Sequence, residues 1–503
     1  MNFTIEQIAK ACRGQLFLHT VKEELQVSSV VLDSRIVTEG GVFVATVGER
    51  VDGHSFIPQV CKKGAALVVC ERDPELLREQ YDIPADCNFL WVENSFQALK
   101  DMALAYRLTL KLPVIGITGS VGKTSTKEFV AGVLSEKYQV LKTQGNYNNE
   151  VGVPLTLLSV RQEHTACVVE MGISDFGEMH RLSYMVRPNV CVITNIGQCH
   201  LENLKTRDGV LKAKTEIFDF MAEDGTVILN GDDDKLSTIH YVERTGKVPL
   251  FFGLRANAAA GGENGGCTKE VKECANRSTG EDNTERECVF AGEWIGKGLV
   301  GSCATICMNH AGVQGEMTVE IPIPGVHMVI NACAATTVGL ELGLTPDQIK
   351  AGLSKLQCEK GRGRQTRVGT VTLVDESYNA NPASMRAAID LLAMAENKKI
   401  AILGDMFELG EDSDAMHAGV GEYAAKMNPD EIFFVGENAK HMYEAAKKVR
   451  EQKLYYFENT KLLMDALPEE SCIRENSTIL IKASHGMHFE EVLSFLEDLL
   501  ASM

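Results

Sequence analysis

VIGITGSVGKTSTKE, residues 114–128, reads as an apolar strand, a glycine turn and the start of a helix. Val114, Ile115 and Ile117 predict a buried parallel strand. Gly119 and Gly122 let backbone N–H groups approach phosphate oxygens, and the positive end of the following helix favours an anion there. Lys123 would reach the terminal phosphates of a nucleotide, and the Thr124 hydroxyl would contact Mg²⁺. The expected phosphate loop is therefore Gly119, Ser120, Val121, Gly122, Lys123, Thr124 and Ser125. Its spacing departs from G-x-x-x-x-G-K-[ST], because Ile117 occupies the first glycine position. An ordinary strand–turn–helix junction is the alternative, but strand, glycines, Lys-Thr and helix run in the order a phosphate loop requires.

Strand and helix alternate outward from this loop. Strands are expected at Val114–Thr118, Gln139–Lys142, Ala166–Glu170, Val190–Asn195 and Thr226–Asn230, with helices between, including Val151–Leu158 and Asp208–Met221. That alternation predicts a parallel sheet wrapped by helices, with ligands at the carboxyl ends of the strands. Glu170 ends one strand, Asn195 ends another, and His200 follows in the loop. A carboxylate and an imidazole beside a phosphate loop suit Mg²⁺, directly or through water, although each also reads as an ordinary strand-end or surface group. Asn148 and Asn149, in the amide-rich turn GNYNNE, suit a polar ligand and equally suit a turn or helix cap. Nothing in the local pattern distinguishes Lys214 from a solvated helix lysine.

The first 110 residues mix short strands (VSSVVLDSR, GGVFVAT, ALVVC) with helix, and a helical pattern from Asn94 to Leu110 leads to a junction at Lys111-Leu112-Pro113. Arg35, Arg50 and His54 could face an anion there, with Asp33 and Ser34 as polar partners. Residues 255–287 lose periodicity and gain Gly, Asn, Glu and Thr, which reads as an excursion without catalytic residues; order is expected again from Glu316. After Lys360-Gly361-Arg362-Gly363-Arg364 a second alternating unit begins, with strands at Thr370–Asp375, Lys399–Leu403, Glu431–Val435 and Thr478–Lys482. Asp375 and Asp405 end apolar runs in it. The fold expected is α/β in three domains. A smaller N-terminal α/β domain (1–110) precedes a central parallel-sheet ATPase-like domain (111–360), and a Rossmann-like α/β domain (361–503) closes on the site.

At 503 residues the chain is long enough for about three domains. Its net charge of -19, from 50 basic and 69 acidic side chains, argues against nucleic-acid or anionic-membrane binding. The opening MNFTIEQIAK lacks a basic region before an apolar core, so no signal peptide is expected, and no apolar run is long enough for a bilayer. Fifteen scattered cysteines fit reduced thiols in a cytoplasm. Cys267, Cys274, Cys288, Cys303 and Cys307 crowd one region with His310, but without a C-x-x-C pair they read as buried or loop thiols rather than a zinc site.

Together DSR (Asp33–Arg35), GERVDGHSF, ITGSVGKTSTKE, NYNNEVGVPLTLL, VVEMGISDFGEM, TNIGQCHLE, AKTEIF, GVHMVIN, KGRGR, DESYNANPASM and LGDMFELG resemble the Mur ligase family over nearly the whole chain. The resemblance implies an ATP-dependent ligase that forms an amide bond through an acyl phosphate. The NNEVGVPLTLL and YNANP segments resemble the branch that joins D-alanyl-D-alanine to UDP-N-acetylmuramoyl-tripeptide. Asp33, Ser34, Arg35, Gly48, Asp52 and His54 then match positions for the UDP part. Lys123 and Thr124 match positions for ATP and Mg²⁺, and Glu170 and His200 match metal-site positions. Lys214 matches a lysine that is carbamoylated in relatives, where it becomes an anionic oxygen ligand. Asn331 matches an adenine contact, and Arg362 and Asp375 match positions near ribose and phosphates. Asn148 and Asn149 would handle substrate, and Tyr378, Asn379 and Asn381 would lie near the incoming dipeptide or the interdomain hinge. His327-Met328 replaces the family's usual His-Asn, DESYNANP replaces DDSYNANP, and Lys482-Ala483-Ser484-His485 replaces a KGSR-like segment. A cytoplasmic monomer is expected. Two alternatives stay open: a sibling ligase adding a single amino acid or glutamate, and a nucleotide-dependent switch protein that ligates nothing.

Overall fold

The computed structural model describes residues 1–48, 51–254, 288–358, 360–469, 473 and 476–502. Arg50 and the 255–287 excursion, with Cys267 and Cys274, lie outside the described residues.

Three sheets follow one another along the chain. The first comprises β1 (Gln15–Phe17), β2 (Val30–Val31), β3 (Val42–Val44), β4 (Leu67–Cys70) and β5 (Phe89–Trp91), in the order β1-β5-β4-β3-β2. Only β1 runs antiparallel in it. Of the expected VSSVVLDSR strand, just Val30–Val31 pairs. Asn94 caps the helix Ser95–Thr109, which carries the chain to the second sheet.

The second sheet begins with β6 (Val114–Thr118), β7 (Val140–Lys142), β8 (Ala166–Glu170), β9 (Val190–Ile193), β10 (Thr226–Asn230) and β11 (Leu250–Leu254). It continues with β12 (Cys288–Gly296), β13 (Ser302–His310) and β14 (Val313–Ile321), giving the order β14-β13-β12-β11-β10-β9-β6-β8-β7. From β12 to β7 the neighbours are parallel, so β6 is buried along its whole length and its carboxyl end opens between β8 and β9. β12, β13 and β14 form an antiparallel extension. Regular strand structure is therefore already present at Cys288, ahead of the expected Glu316. β13 alternates buried and half-buried residues throughout. That period of two is a strand signature, but Ser, Cys, Thr and Asn blur its hydrophobic contrast. Two further expected ends move. β9 stops at Ile193, because Thr194 and Asn195 turn to hold the phosphate loop. The helix from Arg207 ends at Thr215 and tightens into a 3₁₀ turn, Glu216–Phe218.

The third sheet has β15 (Arg364–Val368), β16 (Val371–Glu376), β17 (Lys398–Gly404), β18 (Glu431–Val435), β19 (Leu454–Phe457) and β20 (Ser477–Lys482), in the order β15-β16-β20-β17-β18-β19. All neighbours are parallel except the hairpin β15–β16.

The reduced-thiol expectation fails at one pair. Cys61, near the end of the helix Ile57–Lys62, and Cys87, before β5, form a disulfide with Cα atoms 5.8 Å apart. Both pack into the apolar cluster on that face of the first sheet, which brings their side chains together. Cys288, Cys303 and Cys307 lie on β12 and β13, and the His310 ring bonds Glu341 at 2.8 Å. Among the described residues no helix is long and apolar enough to cross a membrane.

Candidate active site

The glycine turn leaves β6 through Gly119 (φ +149°) and enters the helix Lys123–Leu134 through Gly122 (φ +82°). A Cβ on Gly119 would lie 1.9 Å from Thr194 Oγ1, so only glycine fits. Neighbouring strand ends hold the turn from outside. Asn195 Oδ1 accepts from Val121 N at 2.9 Å, and Asn195 Nδ2 donates to Val121 O at 2.9 Å. Thr194 Oγ1 donates to the same carbonyl at 2.6 Å, and Ser120 Oγ accepts from Gly197 N at 2.8 Å. Lys123 Nζ donates to Gly119 O at 2.9 Å, closing the loop over itself.

This turn opens on a cleft of about 860 Å³ between the second and third sheets. Ser120 to Ser125, Asn148, Asn149, Glu170, His200 and Asn331 line one wall; Arg362, Tyr378, Asn379, Asn381 and Glu408 line the other. Most of the candidate residues thus converge. Glu170 is buried; its Oε1 accepts from Asn148 Nδ2 at 2.8 Å, and Thr143 Oγ1 accepts from its backbone N–H at 3.0 Å. Glu170 Oε2 accepts no hydrogen bond, and the Lys127 ammonium lies 3.8 Å away. A buried carboxylate oxygen that accepts no hydrogen bond, in the cleft that Thr124 also lines, suits a hard divalent cation, so these residues fit Mg²⁺.

His200 (φ +51°) reaches across the cleft, its Nδ1 2.8 Å from Glu408 Oε2. The His200 hydrogen bond holds the Glu408 carboxyl below its ordinary range. Asn331 is taken up by its own wall. Its Oδ1 accepts from Thr126 Oγ1 at 3.0 Å, and its amide nitrogen lies 3.6 Å from Met328 Sδ, so Met328 occupies one face of it. Burial lowers the neighbouring His327. On the opposite wall Arg362 lies 3.8 Å over the Tyr378 ring, and His485 stacks on Tyr378 at 5.9 Å. Lys482, deeply buried and lowered by desolvation, donates to Asn379 O at 2.9 Å and pairs with Glu376 at 3.3 Å. Asn381 caps the helix Pro382–Ala393, so its side chain has a backbone task as well.

Other candidates stand apart from the cleft. Lys214 is 1% exposed on the helix Arg207–Thr215, and burial drives its pKa down to about 8. Asp375 is buried and turned inward: one oxygen accepts from Gly361 N at 2.8 Å, the other from Ser377 N and Oγ at 3.1 and 2.6 Å. It shapes the turn behind Arg362 rather than facing the cleft.

The first-sheet residues form a separate group. Arg35 forks onto both oxygens of Asp33 at 2.7–3.0 Å, and this hydrogen bonding holds Asp33 down at about 2. Lys63 Nζ donates to the carbonyls of Ser34 and Arg35 at 2.8 and 2.9 Å, a role the sequence did not signal. His54 is fully buried, its Nδ1 2.7 Å from Asp52 Oδ1 and its Nε2 accepting from Glu71 N at 3.3 Å. Asp52 also pairs with Arg72 at 2.6 Å, and Gly48 N–H donates to Val51 O at 2.9 Å. Glu408 and Glu150 also escaped the sequence reading. Glu150 binds both Lys100 (2.7 Å) and Arg181 (2.7 and 3.0 Å), tying the Asn148-Asn149 turn to the helices Ser95–Thr109 and Glu178–Val186.

A parallel sheet with a glycine turn at its central strand, facing a second α/β unit across a cleft, defines a nucleotide-handling protein of the phosphate-loop class. Three family models match the chain: Mur ligase family, catalytic domain, at residues 26–107; Mur ligase middle domain at 117–339; and Mur ligase, glutamate ligase domain, at 361–485. The chain belongs to the Mur ligase family. It is 32% identical to the UDP-N-acetylmuramoyl-tripeptide–D-alanyl-D-alanine ligase of Bacillus subtilis, with 98% of each chain covered. It is 31% identical to the enzyme of that name from Escherichia coli, with 99% of each covered. Its fold is similar to the crystal structure of MurF from Acinetobacter baumannii (TM-score 0.81, 30% identity, 99% of each chain). It is also similar to MurF ligase from Thermotoga maritima in complex with ADP (TM-score 0.74, 27% identity, 96% of this chain and 100% of that one).

Proposed function

We propose that this protein joins D-alanyl-D-alanine to UDP-N-acetylmuramoyl-tripeptide at the expense of ATP, giving the pentapeptide precursor of peptidoglycan in the cytoplasm. The glycine turn at the end of β6 carries the reading: it opens into a cleft whose far wall belongs to another α/β unit. A nucleotide and two further substrates need such a shared chamber. The domain boundaries that fit this division are 1–110, 111–360 and 361–503.

The chemistry must activate a carboxylate, which is a poor acyl donor. The tripeptide carboxylate attacks the γ-phosphorus in line, ADP departs, and an acyl phosphate remains. The Gly119–Ser125 backbone N–H groups and helix end cradle the phosphates, and Lys123 turns from Gly119 O to the γ-phosphate to spread its developing charge. Thr124 and Glu170, with His200 nearby, would hold Mg²⁺, which supplies charge neutralisation when bound. The neutral amine of D-alanyl-D-alanine then attacks the acyl carbon, and phosphate leaves. Asn331 would approach adenine and Arg362 the nucleotide, with Asp375 bracing the Arg362 turn. Asn148, Asn149, Tyr378, Asn379 and Asn381 would border the peptides. Asp33, Ser34, Arg35, Gly48, Asp52 and His54 would form or brace the UDP site. Closure of the two cleft walls excludes water, which would otherwise hydrolyse the acyl phosphate.

Lys214 is assigned a carbamoyl group on the same reading. Its lowered pKa gives a larger neutral-amine fraction near pH 7 than an ordinary lysine has, that fraction can add CO₂, and the product would be an oxygen donor for a second cation. Loss of activity in CO₂-free buffer, restored by bicarbonate, is the expected result.

Mass-spectrometric product analysis tests the whole. The protein is incubated with ATP, D-alanyl-D-alanine and tripeptides carrying lysine or diaminopimelate at the third position. An amide product with the dipeptide is expected. Product formed only with glutamate or a single amino acid would replace this reading by that of a sibling ligase.

A further inference from the structure

We infer that the Glu408 carboxylate is the docking point for the ammonium group of the incoming amine substrate. The inference rests on the ligase reading and adds to it the residue that receives the second substrate.

Five carboxylates of the described residues line the cleft: Glu170, Glu178, Asp233, Glu376 and Glu408. Four are engaged by fixed partners on their own wall. Glu170 takes Asn148 and Lys127. Glu178 accepts from the backbone of Ser174 and Asp175 at 2.7 and 3.2 Å. Asp233 accepts from Ile196, Lys235 and Leu236 backbone at 2.8–3.0 Å. Glu376 faces Lys482. Glu408 differs: its side chain is 63% exposed, and its ion-pair partner is an imidazole nitrogen from the other wall. That nitrogen stands 2.8 Å from the carboxylate, the separation of an ammonium–carboxylate contact. The pair marks an exposed acceptor on the cleft lining, whose partner across the cleft an ammonium would replace.

The loop holds this carboxylate in place. Glu408 is a non-glycine residue at φ +61°, a conformation that surrounding contacts must maintain. Met406 N–H donates to His417 Nε2 at 3.0 Å, and Phe407 N–H donates to Ser484 Oγ at 2.9 Å. Asp405 Oδ1 accepts from Ala439 N at 2.6 Å. Three successive residues are therefore anchored immediately before Glu408. The loop also abuts the helix Leu201–Leu204 of the opposite wall, since a Cβ on Gly410 would lie 3.5 Å from Glu202 N. Glu408 lines the same cleft as the phosphate loop, so an ammonium held there is within the shared chamber and, once it has lost its proton, attacks the acyl carbon as the neutral amine.

Glu408→Gln keeps the shape and removes the charge. The Michaelis constant for D-alanyl-D-alanine should rise roughly 10- to 100-fold, the usual worth of a hydrogen bond to a charged group. That for ATP should stay within about twofold, because Glu408 touches no part of the phosphate loop. Glu408→Asp should recover part of the loss. N-acetyl-D-alanyl-D-alanine, which lacks the ammonium, should inhibit the native protein weakly, and Glu408→Gln should narrow the gap between it and the free dipeptide. Hydroxylamine added with ATP and the nucleotide-tripeptide, without dipeptide, reports the first half-reaction as a hydroxamate. Hydroxamate formation with a raised dipeptide constant supports the inference. An unchanged dipeptide constant in a folded Glu408→Gln protein overturns it, as does equal loss of hydroxamate and amide. Absence of both products from the native protein would instead overturn the ligase reading.

Discussion

Gly119 and Lys214 show how single positions take meaning from their surroundings. At Gly119 a methyl group meets Thr194 Oγ1 at 1.9 Å on a backbone that disfavours L side chains. Gly119→Ala should therefore displace the loop rather than unfold the domain, costing roughly 1–3 kcal/mol of local strain. Calorimetry should show ADP binding weakened at least about tenfold, with the melting transition nearly retained. Lys214 tests the opposite balance. Its folded pKa of about 8 lies below the ordinary lysine value, so burial penalises its charged form. The penalty is fully present below about pH 8 and falls as pH rises towards 10.5, where the unfolded lysine also loses its proton. In CO₂-free buffer, where Lys214 is a free amine, Lys214→Met should thus stabilise the protein at pH 7 by on the order of 3 kcal/mol, and it should abolish ligation in bicarbonate. Denaturant melts at pH 7 and pH 10 should show that gain shrinking as pH rises.

At the scale of elements, the helices Lys123–Leu134 and Val326–Glu341 are pinned by one buried hydrogen bond, Thr126 Oγ1 to Asn331 Oδ1. Thr126→Val keeps the volume and leaves the Asn331 oxygen without its donor. A loss of roughly 1–3 kcal/mol should follow, with a weaker ADP affinity because the Asn331 amide, proposed to approach adenine, is released from its setting. Glu150 links elements differently, holding Lys100 and Arg181 from two helices beside the Asn148-Asn149 turn. Glu150→Ala should raise the Michaelis constant for the nucleotide-tripeptide more than that for ATP, because the Asn148-Asn149 turn, proposed to border the peptides, loses its brace. Steady-state kinetics with each substrate varied would separate the two.

Across the whole molecule, contacts among the described residues on two sides of the cleft, besides the covalent connection, help set the pose of its walls. His200–Glu408 joins the two walls across the cleft. The β12–β13 turn supports the other side: Leu299 packs against the third-sheet core, and Gln365 Nε2 donates to Leu299 O at 2.6 Å. Leu299→Ala with Gln365→Ala should loosen this support. Small-angle scattering should then report a larger radius of gyration without nucleotide, and the turnover number should fall more than the Michaelis constant for ATP.

Local periodicity and glycine placement determined the two alternating units that follow the N-terminal segment. β6, β8, β10 and β18 stand at their expected residues, because buried parallel strands are short, continuous apolar runs bounded by turns. The phosphate loop was equally legible, since its glycines, lysine and helix are contiguous. The Cys288–Ile321 hairpins were not, because small polar residues hide their alternation. Partnerships between distant residues were decided by tertiary structure alone. No local pattern predicts that Glu408 meets His200, that Asp375 turns inward, that Cys61 joins Cys87, or that burial moves the pKa of Lys214. Each depends on which surfaces the three sheets bring together and how much water they exclude, and neither is encoded within one window of sequence.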